Sequence, residues 1–134
     1  RNRDALDLQE RVELIECDLV EGVPAELAQS FSVLVSNPPY IPTSVLEQEV
    51  PAEVKGFEPE LALDGGEDGL DVYRRLLEAA PRMLLPGGML CVELYEGHLD
   101  KAAHLAEQQG VWESVEVKED LTHRPRILVA HLAK

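Results

Sequence analysis

The sequence is short of cysteine, of cationic runs and of long apolar stretches, and each shortage removes a class of protein. Its two cysteines, Cys17 and Cys91, stand far apart in short apolar runs. Without nearby partners they make neither a zinc site nor a disulfide framework, and such thiols are expected to be small buried hydrophobes. No run of Lys or Arg occurs, and 12 basic residues face 26 acidic ones for a formal charge of −14. Nucleic-acid binding draws affinity from cations set against phosphates, so a DNA or RNA partner is disfavoured and a protein partner fits better. No charged-then-apolar leader and no bilayer-length apolar stretch is present, and the expectation is a cytoplasmic protein without a membrane anchor.

What is present suits a single domain, or part of one, with a real core: 134 residues at 45% hydrophobic content. Arg1 to Gln9 reads as the tail of a helix. Val12 to Cys17 alternates loosely and predicts a strand, followed by Asp18-Leu19. Val23 to Gln29 is a brief helical or turn segment, and Phe31 to Val35 is a buried strand. Ile41 to Glu60 is a long Pro- and Glu-rich loop with a short helix from Ser44 to Glu49, and loops of that length are usually lids or pocket walls. The helical spacing of Val72, Leu76, Leu77, Ala80 and Leu84 predicts a helix over 70–84. Leu85-Pro86-Gly87-Gly88 reads as its stop and Met89 to Val92 as the next strand. A helix over 98–109 and strands at Ser114 to Lys118 and Ile127 to His131 complete an α/β pattern. His98 and His104 have no second ligand at metal spacing and read as solvated or capping groups.

One stretch carries chemistry. Phe31 to Val35 ends in Ser36-Asn37-Pro38-Pro39-Tyr40, where two prolines stop the strand, since proline donates no N–H and forces its predecessor toward extended geometry. The Asn37 side-chain oxygen and the Pro38 carbonyl are acceptors held still by the rings, and Tyr40 adds an aromatic face. Two fixed acceptors suit a planar –NH2 group. They stabilise the positive charge that develops on nitrogen as it is alkylated, and positioning opposite an electrophilic methyl group then suffices for transfer. Open α/β sheets bind ligands at the carboxyl ends of their strands, where this corner stands.

Val35-Ser36-Asn37-Pro38-Pro39-Tyr40-Ile41 is followed by Phe57-Glu58-Pro59, Ala62-Leu63, Gly65-Gly66-Glu67-Asp68-Gly69-Leu70-Asp71 and Tyr73. Leu85-Pro86-Gly87-Gly88, Glu93, Asp120-Leu121-Thr122 and Arg124-Pro125-Arg126 come later. Together they resemble the HemK family of protein-glutamine N5 methyltransferases. The resemblance implies a partial class I, Rossmann-like S-adenosylmethionine-dependent methyltransferase sheet with an antiparallel C-terminal hairpin. It implies catalytic Asn37, Pro38 and Tyr40, with Pro39 joining them in binding the substrate amide. It also implies that Asp18, Leu19 and Asn37 contact the cofactor, that Glu93 supports the site, and that the substrate is the Gly-Gly-Gln motif of a peptide release factor. The usual Glu-Ile/Leu-Gly continuation is replaced here by Glu93-Leu94-Tyr95-Glu96-Gly97-His98.

The family also holds its cofactor with a Gly-rich turn after the first strand and an acid after the second. Neither is found here, as the pairs Gly65-Gly66 and Gly87-Gly88 fall in other elements. Residues 1–134 are therefore expected to be a catalytic domain lacking its first two strands, inactive alone and binding S-adenosylmethionine weakly or not at all. The bare edge of the Phe31 strand should then pair with the Val12 strand or with a second chain, giving a dimer. Two other readings stay open: an adenine-N6 methyltransferase acting on a flipped base, since Asn-Pro-Pro-Tyr serves those enzymes too, and a catalytically silent interaction domain.

Overall fold

A computed structural model describes residues 1–48 and 59–134. The elements are α1 (Asn2–Ala5), β1 (Phe31–Ser36), α2 (Thr43–Gln48), α3 (Asp71–Met83), β2 (Leu84–Glu93), α4 (Leu99–Gln109), β3 (Trp112–Glu119) and β4 (Pro125–Leu132), with 3-10 turns at Ala25–Leu27, Glu60–Ala62 and Glu96–His98. The strands form one sheet in the order β1-β2-β4-β3. β1 and β2 are parallel, with Val33 opposite Met89 and Ser36 opposite Val92, and β4 runs antiparallel to both β2 and β3. The expected α/β sheet with a closing antiparallel hairpin is what forms.

Alternation decides which face is buried. Leu90, Val92 and Leu94 alternate in and just beyond β2, as Leu128, Ala130 and Leu132 do in β4, and all six face α3 and α4. The helices answer with Tyr73, Leu76, Leu77 and Ala80 from α3 and Leu99, Ala102 and Ala106 from α4. Each large side chain buried this way contributes about 1.5–3 kcal/mol. The Tyr73 hydroxyl, at the centre of the core, donates to the Ala102 carbonyl at 2.8 Å and couples the two helices.

Pro81 sits in the last turn of α3 and has no N–H to give the Leu77 carbonyl. That carbonyl accepts instead from Gln109 Nε2 at 3.1 Å, at the far end of α4. α4 itself closes on Gly110 in the left-handed region, φ +67°, as glycine-capped helices do.

Five sequence expectations change, the first being that β1 is buried: without a neighbour on its outer side among the described residues, Val33 and Val35 stand 45% and 75% exposed. Val12 to Cys17 is not a strand: a strand exists through its ladder, these residues pair with none, and Leu14 remains 68% exposed. The outer edge of β1 is correspondingly unpaired among the described residues, so the Val12 segment does not fill it. Leu85 to Gly88 does not separate helix from strand, because α3 ends at Met83 and β2 begins at Leu84, absorbing the glycines as a register break opposite Phe31–Val33. Cys17 is exposed rather than buried, since the strand expected to bury it does not form, while Cys91 is half-buried. Half of the long loop expected over Ile41 to Glu60, residues 49–58, lies outside the described residues, though its short helix is present as α2.

Candidate active site

Because β1 and β2 are parallel neighbours, their carboxyl ends open on one edge. Asn37 follows β1 directly, and Glu93 closes β2 one residue beyond the Ser36–Val92 pair. Asn37 is exposed, and its side chain makes no hydrogen bond to any described residue. Pro38 is buried and Pro39 and Tyr40 are half-buried, with Tyr40 packed against the core. The four residues line a pocket of about 300 Å³ with Ile41, Ala62 and Leu63. The corner therefore stands at a cavity with the Asn37 side chain unspent among the described residues.

The acidic glycine turn, which reads in the sequence as a mere lead-in to a helix, buttresses this corner. Ile41 N–H donates to Leu63 O at 3.0 Å and Gly65 N–H to Ile41 O at 2.8 Å, while Thr43 N–H donates to Gly66 O at 2.9 Å. Asp64 Oδ1 accepts from Thr43 Oγ1 and Gly66 N–H at 2.8 and 2.9 Å. A Cβ on Gly65 would stand 2.8 Å from Tyr40 Cα, so only a bare Cα permits the turn to lie flat against the motif.

Asp68 anchors the same turn to the helices. Arg74 grips both its oxygens, at 2.9 and 2.6 Å, and Lys101 Nζ lies 2.6 Å from Oδ2. The Arg74 guanidinium, and after it the Lys101 ammonium, hold the Asp68 carboxyl well below the usual carboxylate range.

Asp18 and Leu19 come to the corner through tertiary structure. They line a second cleft, about 620 Å³, with Glu16, Cys17, Leu61, Val72, Arg75 and Pro39, and Pro39 is also a wall of the first pocket. Arg75 Nη2 holds Asp18 Oδ2 at 2.7 Å, which leaves Oδ1 as an acceptor. The cleft thus combines a carboxylate oxygen with the apolar side chains of Leu19 and Leu61. Among the described residues no group of three His, Cys, Asp or Glu could hold a metal. His104 is exposed as expected; His98 takes the N-cap position of α4, though without a side-chain capping bond, and its ring is half-buried behind the corner, against Gly69. Nothing local in the sequence signals that contact, which joins residues 29 positions apart.

The layering, the parallel β1–β2 pair and the Asn-Pro-Pro-Tyr corner at its carboxyl edge define a class I methyltransferase type of domain. Two solved structures share this fold at 23% identity. One is the E. cuniculi Mtq2-Trm112 complex responsible for methylation of the termination factor eRF1, with TM-score 0.57 over 98% of this chain and 68% of that one. The other is the release factor-specific protein-(glutamine-N5) methyltransferase of Alicyclobacillus acidocaldarius, with TM-score 0.54 over 92% and 64%. No family model matches the sequence. Its relatives do: the chain is 38% identical over 132 residues to the release factor glutamine methyltransferase of Clostridium acetobutylicum, covering 96% of this chain and 44% of that protein. Its counterpart in Rhodospirillum rubrum is 42% identical over 130 residues, covering 97% and 38%. The chain belongs to the release factor glutamine methyltransferase family and spans less than half the length of these relatives.

Proposed function

We propose that the polypeptide carrying this chain transfers a methyl group from S-adenosylmethionine to the side-chain amide nitrogen of a glutamine, the Gly-Gly-Gln glutamine of a peptide release factor. When bound, the cofactor supplies an electrophilic methyl group on a sulfonium. Asn37 Oδ1 and the Pro38 carbonyl accept the two amide hydrogens, turning the nitrogen lone pair out of conjugation and stabilising the charge that grows there. Pro39 and Tyr40 pack on the flat amide and exclude water, and Asp18 and Leu19 orient the adenine. The methylated nitrogen needs no general base, since its surplus proton leaves to solvent at the exposed mouth of the pocket. Glu93 supports the corner from the end of β2.

The observation that carries this reading is the unspent hydrogen-bonding capacity of Asn37 beside a pocket at the carboxyl edge of β1. Residues 1–134 are then part of one catalytic domain acting in the compartment of translation; no described helix is long and apolar enough to cross a membrane. An adenine substrate in nucleic acid is opposed by the charge of −14. The full-length polypeptide with methyl-labelled cofactor should label release factor and not DNA, and Asn37→Ala should cost on the order of 10²–10³ in kcat. Label on DNA alone, or unchanged turnover in the variant, would overturn the reading. The 134-residue chain alone should show weak or no cofactor binding in a calorimetric titration.

A further inference from the structure

The back of the corner, away from the pocket, is built on Gly69. Its φ of +75° is in the left-handed region, and a Cβ there would run into the Tyr40 carbonyl oxygen and stand 2.5 Å from His98 Cε1. Tyr40 and the imidazole thus close on the same bare Cα. His98 ends the turn Glu96–His98 just after β2; its N–H donates to Tyr95 O at 2.9 Å, and its ring meets the Tyr95 ring edge-on with centroids 5.3 Å apart. Its Nδ1 is shut away from water with no hydrogen-bond partner among the described residues. Native structures seldom leave a buried polar atom unmet, and a neutral ring tolerates that position far better than a cation.

We propose that His98 is a positioning residue for the Asn37–Tyr40 corner, the neutral imidazole wedging Gly69 against the Tyr40 carbonyl and so setting where the two acceptors stand. Its effect on catalysis rests on the methyl-transfer reading, whereas the contact itself does not. The groups that face the ring are Tyr95, Asp68 and Lys101. Asp68 favours the imidazolium and Lys101 opposes it, and Asp68 is already engaged by Arg74 and by Lys101 itself. Burial dominates and pushes the His98 pKa below its ordinary value. The folded form therefore binds this proton less readily than the unfolded form, and the wedge is lost as pH falls through the folded pKa.

NMR titration of the 134-residue chain tests the contact without any activity. The His98 ring should titrate below the ordinary value of about 6.5, and the Gly69 amide and Tyr40 resonances should move with the same midpoint. In His98→Gln that shared movement should vanish. In the full-length polypeptide His98→Gln should lower kcat about tenfold with little change in cofactor KM, and should flatten the acid limb of the pH profile. Tyr40 and Gly69 resonances that do not follow the His98 midpoint in the unmodified chain overturn the proposal whether or not the variant folds. A variant equal to the parent at every pH, beside an inactive Asn37→Ala, overturns it while leaving the methyl-transfer reading intact. A parent that methylates nothing removes that reading, and the shared titration still decides the contact.

Discussion

Asp68 and Arg74 meet fork to fork, Nη1 on Oδ1 at 2.9 Å and Nη2 on Oδ2 at 2.6 Å, and this pair bolts the glycine turn behind the Asn-Pro-Pro-Tyr corner onto α3. Lys101 brings α4 into the same cluster, and Leu70 N–H gives Oδ1 a further bond at 3.2 Å. A turn with three glycines would otherwise lose much backbone entropy on ordering, and four donors on one carboxylate supply the offset.

Asp68 therefore marks the acid limit of this part of the fold. Its folded pKa is depressed, so its stabilisation is complete above the unfolded value of about 3.9 and is lost as pH falls through the folded value. Asp68→Asn should cost about 1 kcal/mol at neutral pH, the modest worth of partly exposed ion pairs. The difference from the parent should shrink as pH drops below about 4. Urea midpoints measured at several pH values check this, and a pH-independent difference would contradict it.

Gln109 substitutes for a hydrogen bond that Pro81 cannot make. Gln109→Ala should cost about 1–2 kcal/mol through the abandoned Leu77 carbonyl and the lost Trp112 Nε1 bond to Gln109 Oε1, 2.7 Å long. In a Pro81→Ala background the helix regains its own N–H for Leu77, and the cost of Gln109→Ala should fall by about 1 kcal/mol, since the Trp112 bond is lost in both backgrounds. Additive costs in the double-mutant cycle would show that the two residues do not share that carbonyl.

The outer edge of β1, unpaired among the described residues, should make the isolated chain associate with itself at high concentration. Val33 and Val35 stand 45% and 75% exposed on this strand, an apolar template of the kind that invites another strand. Val35→Lys should reduce association several-fold in light scattering without lowering the urea midpoint. A parent that stays monomeric at millimolar concentration would refute it.

Legibility from sequence followed covalent distance. The corner was readable because its four residues are adjacent and its prolines carry their geometry with them. α3 and α4 were readable because 3.6-residue spacing repeats within one helix. The two closing strands were readable beside their turn, and their antiparallel pairing was implied by the family resemblance. Val12 to Cys17 misled because alternation suggests a strand but does not make one without a neighbour to share its hydrogen bonds. The fit of Gly65 and Gly69 against Tyr40 was invisible for a related reason: glycine announces freedom, not what it is pressed against.

The sequence alone determined the chemistry on offer, a proline-stiffened pair of acceptors at the end of an apolar strand, because that chemistry resides in bonded neighbours. Only the tertiary structure decided how the corner is held, with Gly65, Gly69, Asp68 and His98 gathered behind Tyr40, and Asp18 and Leu19 brought across to a cleft that shares Pro39. Those placements come from packing α3 and α4 onto one sheet face, and close packing joins residues far apart along the chain that no local pattern encodes.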